Sequence, residues 1–152
     1  MDDIDREIVA ALQEDATISK AQLARRVNLS TTPCWRRVQK LKERGVIRKE
    51  VALLDRVHLN VGLTAFVFVR TNQHTHEWVE RFTKAVEDIP EVVEFYRMSG
   101  DVDYLMRLVI PDVKAYDAVY SQLIQAVDIF DVTTSFAMED LKYSTALPLD
   151  YI

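Results

Sequence analysis

Cys34 is the only cysteine, so no disulfide can form within the chain, and such sparse use of cysteine fits a reducing compartment. No apolar run approaches the ~18 residues of a membrane span. The longest, residues 61–69, already includes Gly62 and Thr64. The opening MDDIDREI is acidic and lacks the positive stretch of a signal peptide. Together these absences describe a soluble cytoplasmic protein. Catalytic apparatus is missing as well. Asp101 and Asp103 form a carboxylate pair in composition only, with no nucleophile, phosphate loop or metal cluster beside them. His74 and His76 flank Thr75 at a spacing that does not turn both toward one ion, and His58 stands alone, so no metal site is expected. The expectation is a protein that binds rather than one that catalyses.

Acidic residues are scarce in one place. The formal net charge is −5, but residues 20–49 hold ten Lys or Arg against the single acid Glu43. Residues 1–50 carry +3 and residues 51–152 carry −8. This asymmetry suggests a basic contact module joined to an acidic module with another task. With 49% hydrophobic residues over 152, the chain can build a packed core in one ordinary domain or two small ones.

The basic module reads as three short helices. Ile4, Ile8 and Leu12 repeat at helical spacing behind a capping Asp2 or Asp3. Ser19 and Gln22 fit a capping box for the second helix, with Leu23, Ala24 and Val27 facing inward. Asn28 suits the left-handed turn that follows, and Ser30 opens the third helix. A junction of about three residues is the helix-turn-helix spacing. In the third helix Cys34, Val38 and Leu41 form an apolar stripe, while Arg36, Arg37, Lys40 and Arg44 lie outside it. Cys34 therefore reads as a small buried hydrophobe, and Trp35 as a packing residue at the edge that can touch a duplex. Such a helix suits a major groove, with Ser30, Thr31 and Thr32 toward base edges and the cations toward phosphates. Gly45 stops it, and Arg48 and Lys49 follow where a wing or linker meets the DNA backbone.

Residues 51–62 read as an extended hinge with some strand character. Beyond it come a strand at 63–71, a helix from Thr75 ended by Pro90, a strand at 92–98, a turn at Ser99-Gly100-Asp101, a strand at 104–110, a helix opened by Pro111-Asp112 and a strand at 132–138. Residues 142–147 read as a short edge strand or tail. The order βαββαβ is the ferredoxin-like split unit, with both helices on one face of a four-stranded antiparallel sheet. Phe66 and Phe68 oppose Val67 and Val69 in direction, so the uncovered face is apolar too and calls for a partner, most simply a second copy. The fold class is α+β: a three-helix, winged or near-winged helix-turn-helix domain at 1–50, the hinge at 51–62, and a ferredoxin-like dimerisation domain at 63–152, for which the resemblance that follows implies an effector-binding role.

The stretch IDREIVAALQEDATISKAQLARRVNLSTTPCWRRVQKLKERGVI resembles the DNA-binding half of the Lrp/AsnC (feast/famine) transcriptional regulators, and LTAFVFV, HTHEW, SGDVDYL, TTSF and TALPL resemble their effector domain. The resemblance implies dimers, often assembled into octamers, that bind double-stranded DNA and answer to an amino acid or related metabolite. It points to an effector site near the Gly-Asp-x-Asp turn, at Gly100, Asp101, Asp103, Tyr104 and Leu105, with Met98 as apolar wall and Thr134 and Phe136 from a neighbouring subunit. Val102 stands where many members have an aromatic, and Trp35 where Leu is common. An aspartate would meet a ligand ammonium and the glycine-turn N–H groups its carboxylate. Two other readings remain: an architectural DNA-coating protein without an effector, and a metabolite-binding or enzymic βαββαβ module with a helical appendage.

Overall fold

The computed structural model describes all 152 residues and divides into two compact units, Met1–Leu53 with Lys142–Ile152, and Leu54–Leu141. The first unit is built on α1 (Asp3–Glu14), α2 (Lys20–Arg26) and α3 (Thr31–Glu43). Capping boxes start the first two, Asp2 with Asp5 and Ser19 with Gln22, each satisfying backbone N–H groups that a helix start leaves orphaned. Asn28 takes φ +54°, and the Leu29 N–H bonds Ala24 O at 2.9 Å, which turns the chain sharply between α2 and α3. Ile8, Ala11, Leu23, Ala24, Cys34, Val38 and Leu41 are buried together, so the three apolar stripes meet in one small core. Gly45, at φ +72°, ends α3: its N–H bonds Lys42 O and that of Val46 bonds Leu41 O, the pair of bonds of a Schellman motif.

The hinge departs from its expected strand character. No strand forms between α3 and Leu63. The Asp55 carboxylate instead accepts from the N–H groups of Val57 and His58, and Asn60 turns at φ +57°. Arg56 bonds both Thr64 and Asp140. Leu53, Leu54, Val57 and Leu59 remain exposed, with no sheet to bury them. Nor do residues 142–147 form a strand. The Gln13 side-chain amide takes both backbone groups of Leu147, accepting at 2.7 Å and donating at 3.2 Å, and Leu149 packs against the helical core. Lys142–Ile152 thus belong with the helices rather than with the sheet, as the range 63–152 had it.

The second unit holds β1 (Leu63–Arg70), α4 (His76–Glu87), β2 (Val92–Arg97), β3 (Tyr104–Ile110), α5 (Val113–Ala126) and β4 (Asp131–Phe136). The sheet order is β2-β3-β1-β4, antiparallel throughout, which is the expected βαββαβ arrangement. Thr75 and Asp112 cap the two helices through their side chains. Ala65, Val67 and Val69 of β1 and Tyr104, Met106, Leu108 and Ile110 of β3 are buried with Trp78, Phe82 and Val86 of α4 and Val119 and Leu123 of α5. The opposite face carries half-buried Phe66, Phe68, Leu105 and Val109, with Arg107 paired to Glu94 at 2.6 Å. Burial of Phe82 is complete, and its ring lies 4.9 to 5.5 Å from those of Trp78, Tyr104 and Phe95. Replacing Phe82 by alanine is expected to lower unfolding free energy by about 3–5 kcal/mol in denaturant titration.

Candidate nucleic-acid interface and ligand site

The sequence places Ser30, Thr31 and Thr32 at the start of α3, and all three are exposed; Ser30 is the N-cap residue but its hydroxyl makes no capping bond. Their hydroxyls are therefore available to a partner beyond the helix end. Arg36, Lys40 and Arg44 follow at four-residue spacing on one exposed face. They line a concavity of about 370 Å³ together with Asp5, Pro33, Arg37 and Leu41, and no carboxylate pairs with any of the three. Arg48 and Lys49 lie exposed on irregular backbone just beyond, while Lys42 is held by Glu50 at 2.8 Å.

Arg37 is different. Its guanidinium bonds Asp2 at 2.7 Å and Asp5 at 2.8 Å, the two residues of the α1 capping box. The Asp5 and Asp2 contacts hold its charge still more firmly than usual, in that order, and the Asp5 backbone N–H followed by Arg37 draws the Asp2 carboxyl below its ordinary 3.8. Sequence spacing grouped Arg37 with the outward cations; geometry makes it the tie between α1 and α3. The acidic N-terminal residues that supply its partners gave no such sign, because the pairing crosses 32 and 35 positions.

Trp35 is half-buried, with the Lys20 ammonium 3.8 Å from its ring centroid and that of Lys42 5.7 Å away. Its ring is thereby occupied on the protein's own cations, and it fixes Lys20 beside the start of α2. The sequence reading omitted Lys20; a Trp on one helix and a Lys opening its neighbour is a pairing that only the packed geometry brings together. Cys34 is buried, and burial raises its thiol pKa, which suits a packing role.

Around the second candidate site the residues divide. The turn after β2 closes with the Met98 N–H on Asp103 O at 2.8 Å, and Gly100 sits at φ +113°, a conformation that favours glycine. Asp101 is exposed and unpaired. The Asp103 carboxylate accepts the Thr71 N–H at 2.8 Å while its own N–H bonds Val69 O, so it anchors the turn to the end of β1 instead of standing free for an ammonium. Tyr104 is only 4% exposed and lies in the aromatic core with Trp78, Phe82 and Phe95, on the helix-covered face. It cannot wall an open pocket. Leu105 points to the uncovered face, and Met98 is exposed. Thr134 and Phe136 pair with Val67 and Ala65 across the sheet; the Thr134 hydroxyl meets the Tyr116 phenol and Phe136 packs edge-on to the same ring. Burial raises the Tyr116 pKa, so the phenol keeps its proton there. Thr134 and Phe136 thus lie against Tyr116 of α5, while Asp101 of the turn is exposed. A concavity of about 250 Å³ is lined by Phe68, Arg70, Val102, Asp131 and Thr133. Of these, Phe68, Val102 and Thr133 lay in motifs the sequence reading singled out, and Arg70 and Asp131 did not.

Comparison with known proteins gives concordant matches. A family model described as the Lrp/AsnC ligand binding domain matches residues 64–147, and one described as winged helix-turn-helix DNA-binding matches residues 1–48. The DNA-binding transcriptional activator DecR of Escherichia coli (strain K12) is 48% identical over 151 residues, covering 99% of each chain. The crystal structure of an AsnC family transcriptional regulator from Agrobacterium tumefaciens is 58% identical with a TM-score of 0.97, over 100% of this chain and 99% of that one. A transcriptional regulator from Neisseria meningitidis, solved as a complex with L-Met, is 32% identical with a TM-score of 0.94, over 99% and 98%.

The Arg37 tie generates a pH dependence with a definite sign. Because the folded Asp2 carboxyl is drawn below 3.8, its contribution to stability is present above that value and is lost as pH falls through the lower folded one. Arg37→Ala is expected to lower the thermal midpoint at neutral pH, and to shrink that part of the acid-induced loss which the pair supplies. Melting curves between pH 2 and 7 check both; coincident profiles for variant and parent would remove the tie.

Proposed function

Because the chain belongs to the Lrp/AsnC family of transcriptional regulators, we propose that this DNA-binding regulator reads double-stranded DNA with α3 and answers to an amino acid through its sheet domain. The observation that carries the DNA half is the row Arg36, Lys40 and Arg44, exposed and free of acidic partners in a chain whose net charge is −5. In this reading the first turn of α3 enters the major groove. Ser30, Thr31 and Thr32 approach base edges, the three cations meet phosphates, and Arg48, Lys49 and the Trp35-steadied Lys20 contact the flanking backbone. Arg37 serves the head's own rigidity.

The uncovered sheet face supports self-association. Phe66, Phe68, Leu105 and Val109 form an apolar centre that a second copy covers, giving a twofold dimer with two reading heads. Such dimers assemble further, toward an octamer in our reading. The effector is an amino acid: L-Met is the ligand of the Neisseria meningitidis regulator, and the matched family model is of a ligand-binding domain. Occupancy acts by linkage. A ligand that prefers one assembly alters the spacing of the heads and so the affinity for multi-site DNA. No helix is long and apolar enough to cross a membrane.

Salt titration of DNA binding tests the interface. Arg36→Ala, Lys40→Ala and Arg44→Ala are each expected to flatten the slope of log affinity against log salt by about one unit, while Arg37→Ala leaves it near the parent's. Unchanged slopes for the first three would move the interface off this face. Light scattering of the full chain, with and without each amino acid, tests assembly: a mass that stays at one copy removes the dimer.

A further inference from the structure

Lys20 is held at both ends. Its backbone opens α2 inside the Ser19–Gln22 capping box, where the Gln22 N–H bonds the Ser19 hydroxyl and the Ser19 N–H bonds the Gln22 side-chain oxygen, each at 3.2 Å. Its ammonium lies 3.8 Å from the centroid of the Trp35 ring on α3. The ring is fixed in turn, since Trp35 is half-buried and packs against the helical core. Lys42 also approaches the ring, at 5.7 Å, but Glu50 meets its charge at 2.8 Å. Lys20 is exposed and no carboxylate pairs with it.

A ring and a carboxylate hold a cation in different ways. A carboxylate fixes it and cancels its charge, as Asp2 and Asp5 do for Arg37. An aromatic face attracts the ammonium through its quadrupole and carries no net charge. The cation is placed, and its full charge is left for a partner. A free lysine surrenders rotamer freedom when it settles on a phosphate, and one already placed has less to lose.

We propose that Trp35 is a positioning residue for DNA, holding the Lys20 ammonium ready as a phosphate contact beside the groove that α3 enters. The inference rests on the reading that α3 is the recognition helix. In a helix-turn-helix the helix before it crosses the sugar-phosphate backbone, and Lys20 opens that helix here. Trp35 acts through Lys20 and not by touching the duplex itself.

Salt titrations of the full chain test this, on a random-sequence duplex of about 30 base pairs, because phosphate contacts form whatever the sequence. Lys20→Ala is expected to weaken binding and to flatten the slope of log affinity against log salt by about one unit. Trp35→Leu is expected to weaken binding about two- to fivefold, and to change nothing further once Lys20 is alanine. Trp35→Phe keeps a ring and is expected to lose less than the leucine variant, again only where Lys20 is present. Melting curves identify any variant that does not fold; should Trp35→Leu be one, the phenylalanine cycle decides alone. A Lys20→Ala chain with parental affinity and slope, beside flattened slopes for Arg36, Lys40 and Arg44, overturns the Lys20 contact and leaves the α3 reading standing. If the Trp35 variants weaken binding equally with and without Lys20, the ring acts by packing or by touching the duplex, and the positioning role is overturned. A parent chain whose affinity for the duplex does not fall with salt overturns this role and the DNA-binding reading together.

Discussion

The pairing of β1 with both β3 and β4 is the constraint on which the sheet unit depends. β1 lies between β3 and β4 and so links the β2–β3 hairpin to β4. Side chains alternate across a strand, so one register decides everything on both faces. It sends Ala65, Val67 and Val69 into the helix-covered core, turns Phe66 and Phe68 outward, and brings Arg70 opposite Asp131. A slip of one residue would bury the phenylalanines under the helices and expose the valines. It would also separate the two charges at the strand ends. The helix-covered core and the outward apolar face are thus two results of one set of backbone bonds.

In the helical unit the organising force is electrostatic as much as apolar. A small core of Ile8, Leu23, Val38, Leu41 and their neighbours holds the helices together, but it does not distinguish one cation on α3 from another. The carboxylates of α1 do. Asp2 and Asp5 take Arg37 and leave Arg36, Lys40 and Arg44 uncompensated. Trp35 similarly gathers Lys20 and Lys42 on its ring. Net charge therefore says little about what the surface presents. The sign that a partner meets is set by which charges the fold has already neutralised.

Much of this was legible in the residues. Helix starts followed from local bonds within three residues, as at Ser19 and Gln22, and the left-handed Asn28 from its own chemistry. The order βαββαβ followed from hydrophobic period and turn signals, because each is written over a short stretch. What escaped is non-local. Arg37 looked outward by spacing until two aspartates more than thirty positions away claimed it. Tyr104 fits an effector motif, yet the strand's alternation turns it into the aromatic core. Arg70 and Asp131 meet only once the sheet order is known. The tail was read with the sheet because it follows β4 in the chain, whereas Gln13 and the core around Leu149 bind it to the helices.

That last arrangement has a temporal consequence. The helical unit is discontinuous in sequence, with Leu54–Leu141 inserted between its two parts. Translation delivers α1 to α3 first, then the entire sheet unit, and only afterwards the residues that fill the place beside Gln13. Domains generally fold as units while they emerge. Here the helix-turn-helix unit is finished last, after the sheet unit has already been made. A nascent chain halted before residue 142 thus carries every strand of its sheet beside helices that still lack their closing segment.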